Sequence, residues 1–119
     1  MPVQVAAVSE EQANQILAKQ ESHFFDAKAI EVAPGKLSKA ISAFANADGG
    51  ELYVGLDENQ SGALSWRGFT RVEDANSHLQ VFESLFPLGT DFDYAFLTCD
   101  GLPGLVLQIS VAKLSLIHI

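Results

Sequence analysis

The chain has 119 residues, which is enough for one domain with a hydrophobic core and too few for two. Hydrophobic residues make up 48% of it and it has a single cysteine, so a disordered chain, a disulfide framework and a cysteine-based zinc site are excluded. Seven basic and fifteen acidic residues give a net charge of -8. Judged over the whole surface, this negative charge is unfavourable for binding phosphate groups. Nucleic-acid binding therefore requires that the few cations cluster. Without such a cluster, the acid excess favours a metal ion, a protein partner or a small cationic ligand.

The two ends of the chain show no targeting or membrane signal. No run of about eighteen apolar residues is present, and the first residues lack the basic start of a signal peptide. We therefore expect a soluble, cytoplasmic protein without a membrane partner. Residues 1–8 are interpreted as a loose lead-in and residues 114–119 as a non-native tail.

The first half of the chain predicts a helix, a strand and a second helix. Ser9 and Gln12 form a capping box that begins the first helix. Residues 21–32 alternate between apolar and polar side chains and are predicted to form a strand. Residues 34–35, Pro-Gly, are interpreted as a turn, and the apolar spacing over residues 37–47 predicts the second helix.

The central stretch joins the second helix to a strand through a glycine turn. Asn46, Gly49 and Gly50 supply the helix stop and the turn, because glycine adopts positive φ freely. The period then changes to two, which predicts a strand with two faces. One face carries Leu52, Val54 and Leu56, and the other carries Tyr53, Gly55 and Asp57.

The second half predicts a hairpin turn at residues 58–62, a short return strand or irregular loop at 63–69 and a third helix at about 73–86. Residues 92–99 and 105–111 are predicted to form a final hairpin. This order of elements indicates a single α+β domain with about three helices and a mixed, mostly antiparallel sheet.

Three acids, Glu21, Asp26 and Asp57, would meet at one edge of the sheet if the strands that carry them are neighbours. Carboxylate oxygens are the ligands that Mg²⁺ and Mn²⁺ prefer, and such an ion polarises a phosphodiester and activates water. Residues five apart in a regular strand point to opposite faces, so convergence requires Glu21 to lie in the preceding loop. Solvated charges at the ends of elements are the alternative interpretation.

Residues 43–57, Ala-Phe-Ala-Asn-Ala-Asp-Gly-Gly-Glu-Leu-Tyr-Val-Gly-Leu-Asp, closely resemble the hallmark of the Schlafen AlbA-like DNA-binding domain. Residues 21–22, Glu-Ser, and 26–28, Asp-Ala-Lys, stand where that family has an ES…EFK segment. The resemblance implies an α+β fold in bacterial proteins described as transcriptional regulators or helicase-related proteins. Vertebrate relatives bind RNA, and some cut tRNA with three acids that would correspond to Glu21, Asp26 and Asp57.

Three departures from the family pattern bear on these expectations. Asp26 replaces the usual glutamate, which shortens the side chain by one methylene, and Ala27 replaces a larger apolar residue. The later strand of the family, with a Tyr-x-Arg-x-Gly pattern, is absent. We therefore expect the chain to be truncated, with a further C-terminal domain in the full protein.

The first functional hypothesis is a nucleic-acid-binding module of a bacterial transcriptional regulator. Five of the seven cations fall between residues 28 and 71, and these are the expected contacts to DNA or RNA phosphates: Lys28, Lys36, Lys39, Arg67 and Arg71. Trp66 is the one aromatic residue that could stack on a base. A tryptophan folded back over the sheet is the alternative interpretation.

Two further hypotheses remain open. The second is a Mg²⁺- or Mn²⁺-dependent endoribonuclease in which Glu21, Asp26 and Asp57 are the catalytic and metal-binding residues; no other cofactor is expected. An ATPase is disfavoured, because no phosphate-binding lysine follows a strand-to-helix glycine loop. The third is a homodimerisation or protein-interaction domain that pairs through an exposed strand edge.

Overall fold

A computed structural model describes residues 4–20, 22, 24–85 and 92–112. Within these ranges, five strands form a mixed sheet in the order β1-β6-β7-β3-β2, and β4 and β5 form a separate antiparallel pair. The elements, in chain order, are β1 Val5–Ala7, α1 Glu10–Leu17, β2 Phe25–Lys28, α2 Pro34–Asn46, β3 Gly50–Val54, β4 Leu56–Glu58, β5 Leu64–Trp66, a 3-10 helix Val72–Ala75, α3 Asn76–Leu85, β6 Phe92–Thr98 and β7 Val106–Val111. The predicted α+β class with three helices is confirmed.

The main sheet is mixed, as predicted, with two parallel and two antiparallel strand pairs, and three of the five pairs in the two sheets together are antiparallel. The pairs β3–β7, β6–β7 and β4–β5 are antiparallel, whereas β1–β6 and β2–β3 are parallel. β6 and β7 form the predicted final hairpin. In the described part of the chain, β1 and β2 are the edge strands of the main sheet. Pairing of these edges with a partner or a second copy remains a prediction.

Two apolar clusters lie on opposite faces of the main sheet, because successive residues of a strand point to opposite sides. In β3, Leu52 belongs to the first cluster and Tyr53 to the second. The first cluster packs α2 and α3 on the sheet, and its members include Leu37, Ile41, Phe44, Phe82, Phe96, Leu107 and Ile109. The second lies under α1 and the β4–β5 pair and includes Ile16, Phe25, Tyr53, Leu56 and Trp66.

The third helix differs from its prediction in its first turn. It begins with a 3-10 turn over Val72–Ala75 and continues as α3, Asn76–Leu85. The predicted end at Phe86 lies outside the described residues. Among the residues that the structure describes, none of the helices combines the length and the apolar character of a membrane span.

The capping box at the start of α1 is confirmed. The Ser9 hydroxyl accepts a hydrogen bond of 3.1 Å from the Gln12 backbone N–H, and the Gln12 side-chain oxygen accepts one of 2.8 Å from the Ser9 N–H. Two backbone donors that the helix leaves free are thereby satisfied. Ala13 and Ile16 are the buried residues of this helix.

Ser9→Ala removes one of these capping bonds and should lower the free energy of unfolding by about 1 kcal/mol. The measurement is urea denaturation of the two proteins. Ser77→Ala, at an exposed position of α3, is the matched control and should change stability by less than about 0.5 kcal/mol. Equal effects of the two substitutions would contradict the role assigned to the cap.

The interpretation of residues 1–8 as a loose lead-in is wrong for Val5–Ala7, which form β1. The Phe96 N–H donates to the Gln4 carbonyl at 2.9 Å, and the Val8 N–H donates to the Thr98 carbonyl at 2.8 Å. All three residues of β1 are exposed. The strand is therefore held by its backbone bonds to β6, and its side chains leave no periodic pattern in the sequence.

The interpretation of Pro34 and Gly35 as a turn before the second helix is also wrong. α2 begins at Pro34, the first helical position. Proline fits there because its fixed φ is helical and the N–H it lacks would have no partner in the helix. The helix therefore starts three residues earlier than the apolar spacing from Leu37 indicates.

The predicted strand over residues 51–57 is interrupted at Gly55, whose φ is +119. Leu52 and Val54 lie in the first apolar cluster, whereas Leu56 lies in the second, so the prediction that all three share one face is wrong. The reason is a close contact between two segments: a Cβ atom on Gly55 would lie 3.0 Å from the Gly68 Cα. We call the contact of Gly55 with Gly68 the glycine joint.

Candidate nucleic-acid interface

The two glycines after α2 are both structural, for different reasons. Gly49 has φ +83 and its N–H donates to the Phe44 carbonyl at 2.8 Å, which ends the helix that Asn46 closes. A Cβ atom on Gly50 would lie 2.5 Å from the Phe44 ring. The first glycine serves the turn and the second the packing of helix against strand. Together they start β3 in the register that leads to Asp57.

The glycine joint places the backbone of Arg67. The N–H groups of Arg67 and Gly68 donate to the Gly55 carbonyl at 2.9 and 2.8 Å. Arg67 follows β5 directly. Asp57 lies in β4, opposite Ser65 of β5. The joint therefore holds Arg67 beside Asp57.

The Arg67 side chain binds two carboxylates, and we call Glu31, Asp57 and Arg67 the Arg67 cluster. Both terminal nitrogens of Arg67 donate to Glu31, Nη1 to Oε1 at 3.0 Å and Nη2 to Oε2. Nη1 also donates to Asp57 Oδ1 at 3.3 Å. Glu31 lies between β2 and α2, so the cluster connects three segments of the chain.

The cluster lies at the surface. The side chains of Arg67, Glu31 and Asp57 are 42%, 61% and 40% exposed. The hydrogen bonds from Arg67 hold the pKa of Glu31 below its usual value, and those bonds raise the pKa of Arg67. When all three groups are ionised, two negative charges face one positive charge, so the cluster is not a cationic patch in the free protein.

Two other cations of the predicted phosphate-binding set are also paired with carboxylates of this chain. The Lys28 ammonium lies 3.2 Å from Asp26, and the Arg71 guanidinium lies 3.4 Å from Asp74. Lys28 and Asp26 lie two residues apart in β2 and therefore share one face of the sheet. These cations would have to exchange a carboxylate for a phosphate in order to bind nucleic acid.

Lys36 and Lys39 differ from the other members of the predicted set. Both lie in the first two turns of α2 and are exposed. In the part of the chain that the structure describes, no carboxylate forms an ion pair with either lysine. These two cations can contact a phosphate without breaking an internal bond.

The three predicted catalytic acids are partly covered by the structure. Glu21 lies outside the described residues. Asp26 lies in β2, beside the strand that leads to Asp57, and the Gly55 N–H donates to the Lys28 carbonyl at 2.8 Å. The described residues contain no group of three or more His, Cys, Asp or Glu side chains that could hold a metal.

The two described acids do not by themselves make a site that fits Mg²⁺ or Mn²⁺. Each carboxylate is already engaged by a cation, Asp26 by Lys28 and Asp57 by Arg67. A bound metal would compete with these cations for the same oxygens. The catalytic and metal-binding roles of Glu21, Asp26 and Asp57 therefore remain predictions.

Trp66 is buried in the second apolar cluster. It lies in β5, opposite Leu56 in β4, and covers the face of the sheet. The alternative interpretation, a tryptophan folded back on the sheet, is therefore the one that the structure bears out. Trp66 is not available to stack on a base.

A small groove of about 220 Å³ is lined in part by Lys19, Phe25 and Glu58. The Lys19 ammonium donates to Glu51 at 2.7 Å and lies 5.7 Å from the centre of the Phe25 ring. The hydrogen bond with Glu51 raises the pKa of Lys19. This lysine is fixed by a carboxylate and a ring, which makes it a control for the lysines of α2.

The sequence reasoning missed Glu31. It lies 36 residues from Arg67 in the chain, and no local pattern connects two residues so far apart. Its position just before the helix and its charge were visible, but its partner was not. The pairing becomes evident only when the glycine joint places Arg67.

Comparison with known families gives a match over most of the chain. The model of the family described as Schlafen, AlbA_2 matches residues 14–118. The match includes the Glu-Ser segment, the central helix-turn-strand run and the final hairpin, and it indicates a nucleic-acid-related module. Comparison with curated proteins gives no match.

Proposed function

Because this chain belongs to the Schlafen AlbA_2 family, we propose that it is a nucleic-acid-binding module. The family match is the observation that carries the proposal, since the net charge of -8 would not by itself point to nucleic acid. We further propose that the module serves a bacterial transcriptional regulator and binds either DNA or RNA through the phosphate backbone. Fold similarity alone does not fix a function, so the residues that would bind have to be tested.

Lys36 and Lys39 are the proposed primary contacts. Their ammonium groups are exposed and lie on one helix, and neither has to leave a described carboxylate in order to bind a phosphate. Arg67 is the proposed secondary contact, because its guanidinium is partly exposed and presents two donors in one plane. Lys28 and Arg71 would contribute only after their own ion pairs open. With so few free cations, binding should be weak at physiological salt and stronger at low salt.

The proposal predicts that Lys36→Gln combined with Lys39→Gln weakens binding of a short fluorescent RNA or DNA by about tenfold at roughly 50 mM salt. The physical reason is the loss of two phosphate contacts and of the counterions that they release. Fluorescence anisotropy at roughly 50 and 200 mM salt measures both the affinity and its salt dependence.

Lys19→Gln is the control for each single substitution, Lys36→Gln and Lys39→Gln, because it removes one positive charge from an ammonium that Glu51 already holds. It should change the affinity by less than about twofold. Absence of binding at low salt, or an affinity that salt does not change, would contradict the proposed function. Cleavage of the RNA in the presence of Mn²⁺ would instead favour the endoribonuclease hypothesis.

A further inference from the structure

The contact between Arg67 and Glu31 has the geometry of an arginine that holds a phosphate. Two parallel donors of the guanidinium, Nη1 and Nη2, each face one oxygen of the same Glu31 carboxylate. This planar fork fits a carboxylate and a phosphate equally well, because both present two oxygens at similar spacing. Resting on the function proposed above, we infer that Glu31 occupies the position of a nucleic-acid phosphate on Arg67 and competes with it.

Arg67 would stay in place when Glu31 leaves. Its backbone N–H and that of Gly68 are bonded to the Gly55 carbonyl at 2.9 and 2.8 Å. Its side chain keeps the second carboxylate, Asp57, at 3.3 Å from Nη1. Binding of a phosphate therefore requires the departure of one side chain and no rearrangement of the strands.

Glu31 is suited to such an exchange. Its side chain is 61% exposed and lies in the connection between β2 and α2, outside both elements. An ion pair this exposed contributes little to stability, because water solvates both partners. The hydrogen bonds from Arg67 also lower the pKa of Glu31, so the pairing favours the ionised form of the carboxylate.

The position of Glu31 links this site to the free lysines of α2. Glu31 precedes Lys36 by five residues, a separation of at most about 18 Å between Cα atoms. A strand of a few nucleotides can span that distance, so one phosphate on Arg67 and another on Lys36 can belong to the same molecule. The ligand class is therefore a phosphodiester backbone and not an isolated phosphate ion.

The test is a double-mutant cycle on Glu31 and Arg67 with the same fluorescent RNA at low salt. Glu31→Gln should bind about three- to tenfold more tightly than the wild type, because it removes the competing charge. Arg67→Gln should bind more weakly than the wild type. The double variant should bind no more tightly than Arg67→Gln alone, because Glu31 acts through Arg67.

Glu58→Gln is the matched control for the loss of one negative charge. Glu58 lies in β4 and borders the groove that Lys19 lines, and among the described residues the ion pairs of Arg67 are with Glu31 and Asp57 and not with Glu58. It should change the affinity by less than about twofold. Inorganic phosphate is added as a competitor; displacement of the RNA by millimolar phosphate alone would overturn the assignment of a phosphodiester ligand.

Several results would overturn the inference while leaving the proposed function intact. One is equal affinity of Glu31→Gln and Glu58→Gln. Another is a double variant that binds as tightly as Glu31→Gln, which would show a general charge effect. A third is a lower melting temperature of Glu31→Gln with unchanged affinity, which would make the pair structural only. If neither the wild type nor Glu31→Gln binds RNA or DNA, the proposed function itself fails, and the inference fails with it.

Discussion

Gly68→Ala should lower the free energy of unfolding by at least about 3 kcal/mol. Gly68 has φ +73, and a Cβ atom there would lie 2.5 Å from the Leu105 nitrogen and 2.8 Å from the Gly104 carbonyl carbon. Both are backbone atoms. The segment around them is fixed by the bonds between Phe69 and Leu105, 2.7 and 2.8 Å long. No change of rotamer can relieve the contact, so the strands themselves would have to move.

Urea denaturation followed by the fluorescence of the single, buried Trp66 measures this loss. Substitutions of two other glycines separate the effect of the steric contact from the effect of the positive φ. Gly35→Ala, in α2 with no atom within 4 Å of the added Cβ, should leave stability unchanged or raise it by about 0.5 kcal/mol. Gly101→Ala has equal space but φ +85, so it should cost about 1 kcal/mol. A Gly68→Ala protein as stable as Gly101→Ala would show that the contact of Gly68 with Gly104 and Leu105 can relax.

Phe82→Ala should cost about 3 to 5 kcal/mol. Phe82 is buried in the first apolar cluster, and its ring centre lies 5.2 Å from that of Phe92 and 4.8 Å from that of Tyr94. Its ring is therefore one of the contacts between α3 and β6. Truncation leaves a cavity between helix and sheet that the surrounding side chains fill only in part.

The same denaturation experiment measures the effect of Phe82→Ala, as a lower midpoint with an unchanged slope. Phe24→Ala is the control, because the Phe24 side chain is 54% exposed. It should change the free energy of unfolding by less than about 1 kcal/mol. A cost below about 1.5 kcal/mol for Phe82→Ala would contradict the packing of α3 against β6.

Local patterns predicted those features of the fold that depend on neighbours in the chain. The capping box of Ser9 needs only Gln12, three residues away. The hairpin of β6 and β7 needs alternation on both sides of one turn. The α+β class follows from the order of such elements, and the central motif pointed to the family that the comparison shows.

Features that depend on distant residues could not be predicted in this way. The face of Leu56 changes because Gly55 meets Gly68, thirteen residues further along, and nothing near Gly55 indicates that contact. The partner of Arg67 is 36 residues away. β1 has exposed side chains, so its pairing with β6 leaves no hydrophobic signal. Local sequence patterns predict helices and strands, whereas contacts between distant residues determine how these elements pack together.

The same distinction applies to the candidate site. The five cations were identified from their types and positions, and Lys36 and Lys39 are exposed and unpaired with any described carboxylate. That Arg67 would be held by Glu31 was not visible, since the two residues are 36 apart in the chain and no local spacing connects them. The predicted convergence of three acids depends on Glu21, which lies outside the described residues.

The backbone of this site and its charge depend on different residues. Gly55 and Gly68 fix where positions 31, 57 and 67 meet, and all three side chains there are substantially exposed. Their replacement costs little packing, whereas replacement of the glycines disturbs the strands. A protein with this backbone can therefore change the charge and the ligand preference of the site by substitution at three surface positions, while the fold that presents them is inherited unchanged.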